Sequence, residues 1–221
     1  MARKSRSRLR RCTLPLPRSR RRRARDRGVN GQTRVPAEVV QALRDAELIA
    51  GRDTVEAAID RVAVQLAVEL ADAYPVLMCI MNGGLVMTAR LLERFDFALQ
   101  LDYVQVSRYH DGTRGGELTW RVEPALPLAG RTVLVVDDIF DQGWTMHGVV
   151  AKVSSLGAAQ VISVVLVDKQ VDHVRPIDVD YAALTAPDRY LFGCGMDYRG
   201  HWRNLPAIYA LPSNPLTAEP T

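Results

Sequence analysis

The sequence predicts an α/β domain whose parallel, twisted sheet is flanked by helices. Short apolar runs at Val76–Met81, 133–136 and 160–167 are nearly free of polar residues. Such runs suit parallel strands buried on both faces. Helical patterns alternate with these runs along the chain, which is the signature of βαβ units. Each run also empties into polar or glycine-rich residues: Asn82-Gly83-Gly84, Asp137-Asp138, and Asp168-Lys169. In open α/β sheets the carboxyl ends of the strands form the ligand-binding edge.

Residues 1–34 stand apart. They hold 14 of the 29 Lys and Arg residues and a single acid, Asp26, for a net charge of +13. The remaining chain carries 15 basic against 24 acidic groups, for a net of −9. The arm lacks a core-forming pattern and is expected to be disordered when alone. It reads either as a tether for nucleic acid or another acidic surface, or as an extension without function. No aromatic residue interleaves its arginines as a stacking platform would. Its basic stretch is not followed by an apolar core, so no secretory signal is predicted.

Residues 36–50 form a short helical pattern. Asp53 and Glu56 then resemble a capping box, and Val55, Ile59, Val62, Leu66 and Leu70 recur at helical spacing, predicting a helix over 53–73 that Pro75 stops. After the strand Val76–Met81, the Asn82-Gly83-Gly84 turn leads into a helical pattern over 85–94. Strand, glycine-rich turn and helix is an arrangement able to cradle a phosphate, although tight turns use the same residues. Residues 99–106 alternate apolar and polar as a strand does. The polar, glycine-rich stretch 107–116 is either an idle hairpin tip or a lid, with 117–122 as the returning strand.

The stretch 133–146 organises the rest. A buried strand is expected to end in an acidic turn carrying Asp137, Asp138 and Asp141. Gly143 permits a sharp turn, and the helix start beyond it can hold a phosphate on free N–H groups. That helix runs to about Leu156, where Gly157 ends it. A buried strand over 160–167 leads to Lys169, in a chain with only two other lysines, Lys4 and Lys152. A last strand is predicted over 179–184. Residues 186–211 read as an irregular tail rich in aromatic and small residues.

Composition limits the function classes. Hydrophobic content of 48% with 24% charged residues is ordinary for a soluble globular domain, and no apolar run approaches the roughly 20 residues of a membrane span. Cys12, Cys79 and Cys194 are odd in number and form no CxxC pair, which points to a reducing cytoplasm. His110, His147, His173 and His201 show no paired metal-ligand spacing. The absence of GxSxG, HExxH and GxxxxGK[ST] disfavours a serine hydrolase, a zinc protease and a P-loop NTPase.

The 13 residues from Val133 to Thr145 read as four apolar residues, two acids, two apolar residues, then Asp-x-Gly-x-Thr. This pattern resembles the phosphoribosyl-diphosphate motif of the type I phosphoribosyltransferases. Asn82-Gly83-Gly84 is similar to the family's pyrophosphate loop, and 107–116 to its flexible loop. Asp168-Lys169 followed by Pro187-Asp188, Tyr190-Leu191, Gly193, Asp197-Tyr198, Arg203 and Leu205 resembles the hypoxanthine-guanine members. The resemblance covers about residues 37–211. It implies one transferase domain over 35–221, with a small hood built mainly from 186–211.

The resemblance also implies roles. Asp137 and Asp138 would engage the ribose hydroxyls of phosphoribosyl diphosphate and orient its Mg²⁺ indirectly. Asp141 would exchange a proton with purine N7. The turn of Gln142, Gly143, Trp144 and Thr145 would seat the 5′-phosphate. Lys169 would donate to the 6-oxo group, Tyr190 would stack on the base, and Leu191 would read the ring edge through its backbone. Asn82, Gly83 and Arg203 would contact pyrophosphate, Asp197 would help hold a second Mg²⁺, and Ser107 and Tyr109 would belong to the lid. A non-proline cis peptide is implied at Met81–Asn82. Trp144 departs from the smaller or polar residues frequent at its place, and Arg108 stands where Ser is common. The implied enzyme is a cytoplasmic, Mg²⁺-dependent homo-oligomer of purine salvage, a dimer or a tetramer. It would take hypoxanthine or guanine to IMP or GMP. A preference for xanthine, and a sugar-phosphate sensor that uses the arm on nucleic acid, are the alternatives.

Overall fold

The computed structural model describes residues 35–108 and 118–212. The basic arm and most of the predicted lid, Tyr109 included, lie outside the described residues. In chain order the elements are α1 (Ala37–Asp45), β1 (Glu47–Ala50), α2 (Arg52–Leu70), β2 (Val76–Met81), α3 (Leu85–Leu92), β3 (Gln100–Arg108) and β4 (Leu118–Val122). There follow β5 (Thr132–Phe140), α4 (Trp144–Ser155), β6 (Gln160–Gln170), β7 (Tyr181–Pro187), β8 (Leu191–Phe192) and β9 (Ile208–Ala210).

The main sheet has the order β4-β3-β2-β5-β6-β7. All its pairings are parallel except β3 with β4. Side-chain alternation sorts its core into two layers. Leu134 and Val136 of β5 pack with Ile59, Leu66, Met87 and Leu91 of α2 and α3. Val133 and Val135 pack with Met146, Val149 and Val153 of α4. Burial of β5 on both faces explains its run of β-branched residues, and helices on both faces are what parallel strands require.

β5 is longer than the sequence suggests. Asp137 and Asp138 are still strand residues, and of the three acids only Asp141 lies in the turn. Asp137 pairs in register with Val165 of β6, so the ladder extends past the apolar run. Similarly, Ser107 is not in the loop proper. It pairs with Thr119 at the end of the β3–β4 ladder.

The predicted capping box at Asp53 is not formed. The helix is capped by Gly51 without a side-chain hydrogen bond, and Asp53 sits in the first turn as an acid favourable to the helix dipole.

A second, antiparallel sheet forms the hood, with the order β1-β9-β8. Two of the sequence expectations are corrected here. Residues 36–50 are not one helical segment, because Glu47–Ala50 leaves the helix and pairs with Ile208–Ala210. The tail is not wholly irregular, because Leu191–Phe192 pairs with β9 from the other side. Arg189 ties β1 to the residue after β9, its Nε and Nη2 donating to the Leu211 carbonyl and its Nη1 pairing with Glu47. Trp202 Nε1 donates to the Val39 carbonyl of α1 at 2.9 Å.

Candidate functional site

Three loops meet at the carboxyl ends of the central strands. Asp137 and Asp138 end the buried part of β5, and both are nearly excluded from solvent. The Asp138 N–H donates to Asp137 Oδ1 at 2.9 Å. Burial raises the pKa of both carboxyls, and the charge of Asp138 pushes Asp137 well above the usual carboxylate range. Two adjoining buried carboxylates resist carrying two charges, so burial and mutual repulsion disfavour ionising both members of the pair.

The β2–α3 turn closes on this pair. The Met81–Asn82 peptide is cis, as the resemblance implied. A Cβ added to Gly83 would lie 2.0 Å from Asp138 Oδ2, so only glycine allows this approach. A third loop arrives from the hood. Gly195 has φ +108°, and a Cβ there would lie 2.3 Å from the Gly83 carbonyl oxygen. Arg203 joins these parts: Nη1 donates to the Gly195 carbonyl at 2.6 Å, Nη2 pairs with Asp197 at 2.5 Å, and Nη1 stands 3.9 Å from Asp138 Oδ2. Asp137, Asp138, Gly83, Arg203 and Asp197 are thus brought to one place.

The turn after β5 forms a second part. Gly143 has φ +79° and caps α4, whose His147 N–H donates back to the Gly143 carbonyl at 2.9 Å. The first turn of a helix leaves its leading N–H groups without helical partners, and here these belong to Trp144, Thr145 and Met146. Positive helix-end potential and free donors suit an anion. Trp144 begins the helix with a partly exposed indole, edge-on to His147 at 6.1 Å between centroids.

Lys169, near the end of β6, is buried, and its Nζ lies 3.2 Å from Asp141 Oδ1 and 2.8 Å from Asp188 Oδ1. Burial alone would lower the pKa of this ammonium, but Asp188 and Asp141 outweigh it and hold it above the ordinary value. Two residues beyond Asp188, Tyr190 is half exposed and its hydroxyl donates to the Asp197 carbonyl at 3.1 Å. The ring meets Tyr198 edge-on at 5.8 Å. Leu191 is buried in β8.

Sequence reasoning assigned no role to Asp188, Arg175 or Gly195. Pro187-Asp188 was visible as a motif, yet the ion pair joins β6 to the residue just after the neighbouring β7, and no local spacing reports it. Arg175 had a weak signal: it is the sole basic residue other than histidine between Lys169 and Arg189, in a loop with Asp172, Asp178 and Asp180.

The phosphoribosyl transferase domain family matches this chain over residues 46–199. The chain belongs to the phosphoribosyltransferase family. Within it, this type I phosphoribosyltransferase is most like the hypoxanthine-guanine members. It is 31% identical to the hypoxanthine-guanine phosphoribosyltransferase of Streptococcus pneumoniae, over 75% of this chain and 92% of the relative. It is 30% identical to the hypoxanthine-guanine-xanthine phosphoribosyltransferase of Tritrichomonas foetus, over 75% and 91%. The solved hypoxanthine phosphoribosyltransferase of Staphylococcus aureus superposes with a TM-score of 0.74 at 26% identity, covering 80% of this chain and 97% of that one. These relatives favour a salvage transferase over a sensor that retains only the sugar-phosphate site.

The donor set suits a hard cation only in part. Among the described residues no cluster of three or more His, Cys, Asp or Glu side chains forms a metal cage. Asp137, Asp138 and Asp197 offer oxygen donors, the ligand type Mg²⁺ prefers, and Mg²⁺ commonly completes its shell with waters and substrate phosphates. The residues therefore fit an ion that arrives with a polyphosphate. No helix of the described residues is long and apolar enough to cross a membrane.

Proposed function

We propose that this phosphoribosyltransferase joins a 6-oxopurine, hypoxanthine or guanine, to phosphoribosyl diphosphate, yielding the nucleoside monophosphate and pyrophosphate. The observation that carries the reading is the Lys169–Asp141 pair, 3.2 Å apart beside the phosphate turn. It sets an ammonium for an oxo group next to a carboxylate for a ring proton.

In this reading the N9–C1′ bond forms as the C1′–pyrophosphate bond breaks. The Asp141 carboxylate takes the proton that the purine loses at N7, a general-base role. Lys169 donates to the 6-oxo group, which stabilises the base as its electron density shifts. Tyr190 stacks on the ring, and the Leu191 backbone meets its edge. Asp137 and Asp138 accept hydrogen bonds from the ribose hydroxyls. Gln142, Gly143, Trp144 and Thr145 seat the 5′-phosphate with backbone N–H groups and the Thr145 hydroxyl. Arg203, Asn82 and Gly83 take the departing pyrophosphate, whose charge they stabilise without reorganisation. Tyr109, which follows the strand end at Ser107, would help exclude water, which would otherwise hydrolyse the activated sugar. Asp197, directly or through water, with Asp137 and Asp138 indirectly, would hold a Mg²⁺ that arrives with the pyrophosphate, and the ion would supply neutralisation of phosphate charge.

Self-association belongs to the same reading. Leu101 and Tyr103 are exposed on one face of β3, apolar surface that a second copy would cover. Light scattering gives the copy number. The name of the Tritrichomonas relative favours xanthine as a further acceptor. The deciding experiment is a base panel: purified protein, phosphoribosyl diphosphate, Mg²⁺ and each of hypoxanthine, guanine, xanthine and adenine, with nucleotide formation measured. Turnover of hypoxanthine or guanine is expected. Turnover of adenine alone, or of none, rejects the reading.

A further inference from the structure

Arg175 lies in the loop between β6 and β7, with its side chain largely buried. Its Nε donates to the Asp141 carbonyl at 2.7 Å, and Nη2 donates to the Phe140 carbonyl at 3.0 Å and to the Lys169 carbonyl. Nη1 pairs with the Asp168 carboxylate at 2.6 Å. The guanidinium also stacks over the Phe140 ring, 4.2 Å from its centroid. Four acceptors at the ends of two neighbouring strands are therefore held by one planar, rigid group.

The position of those acceptors gives the contact its meaning. Phe140 and Asp168 are the last register pair between β5 and β6. Beyond it the two strands no longer hydrogen-bond to each other, and Asp141 and Lys169 are the next residues on each. The guanidinium takes over where the ladder stops. A lysine could offer its charge to Asp168, but a single ammonium lacks the fork that spans carbonyls of both strands. The Cβ of Arg175 also lies 3.3 Å from where a Gly143 Cβ would be, so the same side chain backs the phosphate turn.

We infer that Arg175 is a positioning residue that fixes the separation of Asp141 and Lys169 and the seat of the phosphate turn. This rests on the transferase reading for its catalytic consequence, though not for its geometry. A guanidinium that clamps both strand ends keeps the proton-accepting carboxylate and the oxo-binding ammonium in one rigid frame, and misplacements near 1 Å cost on the order of 10²-fold in rate.

The test uses the full chain with Arg175→Lys and Arg175→Ala. Arg175→Lys is expected to melt near the parent while losing on the order of 10²-fold in kcat/KM for both substrates. The loss in Arg175→Ala is expected to be partly restored by guanidinium ion far below its denaturing range, and not by sodium chloride at equal ionic strength. A readout independent of activity is acylation of Lys169 followed by mass spectrometry, with Lys152 as internal reference. Lys169 of either variant should react faster relative to Lys152, with any lysine at 175 scored separately. Parental kinetics in Arg175→Lys, or unchanged Lys169 reactivity in a folded variant, overturns the inference. An inactive parent protein would reject the transferase reading, while Lys169 labelling would still decide the placement role of Arg175.

Discussion

Lys169 Nζ stands 3.2 Å from Asp141 Oδ1, across the gap between two parallel strands whose ladder has just ended. The pair joins a turn residue after β5 to a strand residue of β6, so the separation depends on register. In the transferase reading Asp141 handles the purine proton. Asp141→Asn keeps the shape of the side chain and removes its capacity to accept a proton. Turnover is expected to fall by about 10²- to 10⁴-fold, while KM for phosphoribosyl diphosphate stays close to the parent, because the 5′-phosphate rests on the N–H groups and hydroxyl of the turn. Initial-rate kinetics with both substrates varied would show this. Near-parental turnover removes Asp141 from the role.

Lys169 carries a pH signature of its own. Its folded pKa lies above the unfolded value of about 10.4 because Asp188 and Asp141 outweigh burial. The charged form is thus favoured by folding, so the contribution is fully present below about pH 10.4 and is lost as pH rises through the higher folded value. Urea melts of the parent and of Lys169→Met should differ by a constant amount from neutral pH to about pH 9, and the difference should shrink above about pH 10.4. In kinetics, loss of a charged hydrogen bond worth about 1.5–3 kcal/mol should raise KM for the base roughly 10- to 150-fold. An unchanged base KM would separate Lys169 from the 6-oxo group.

The main sheet was legible because burial on both faces writes itself as continuous apolar runs. Val76–Met81 shows this, as does the stretch opening at Val133. The hood strands were not. β1 is four residues and β9 three, and they pair across about 160 positions of sequence, so no local period carries the signal. Asp137 and Asp138 looked like turn residues because charge ordinarily marks a strand's end, yet the ladder to β6 runs past them. In the site, the acids and Lys169 declared themselves by composition at the ends of apolar runs. Arg175 and Asp188 work through contacts between strands, which spacing along one chain does not show.

The buried pair Asp137 and Asp138 is a candidate for stability given up to function. Burial and the neighbouring charge raise the folded pKa of Asp137 above the unfolded value of about 3.9. The native state then binds more protons than the unfolded one as pH rises past that value, so stability is lost through the window up to the folded pKa. Asn at 137 does not titrate. In metal-free protein held in chelator, Asp137→Asn should be more stable than the parent at neutral pH, with the gap closing towards about pH 4. The same variant should lose activity, since a ribose-holding carboxylate is gone. Equal stabilities across that range in urea melts would mean that the pair is accommodated without strain.

The convergence of Gly83, Gly195 and Asp138 makes the sharpest packing prediction. Alanine at 83 would bring its Cβ onto the Asp138 carboxylate, and alanine at 195 would face both the Gly83 carbonyl and a backbone at φ +108°. Overpacking costs about 1–3 kcal/mol, and a side chain forced into that backbone region adds about 1–3 kcal/mol. Each kcal/mol moves the melting temperature of a chain this size by about 2–4 °C. Gly195→Ala should therefore melt well below the parent and below Gly83→Ala, where the Asp138 side chain could yield by rotating. Gly51→Ala is the control, since a Cβ there meets nothing within 4 Å. For Gly83→Ala the activity loss should exceed the melting change, because the atom that must move is the carboxylate assigned to the ribose. A Gly83→Ala variant with parental kcat and KM would show that Asp138 need not hold this position during turnover.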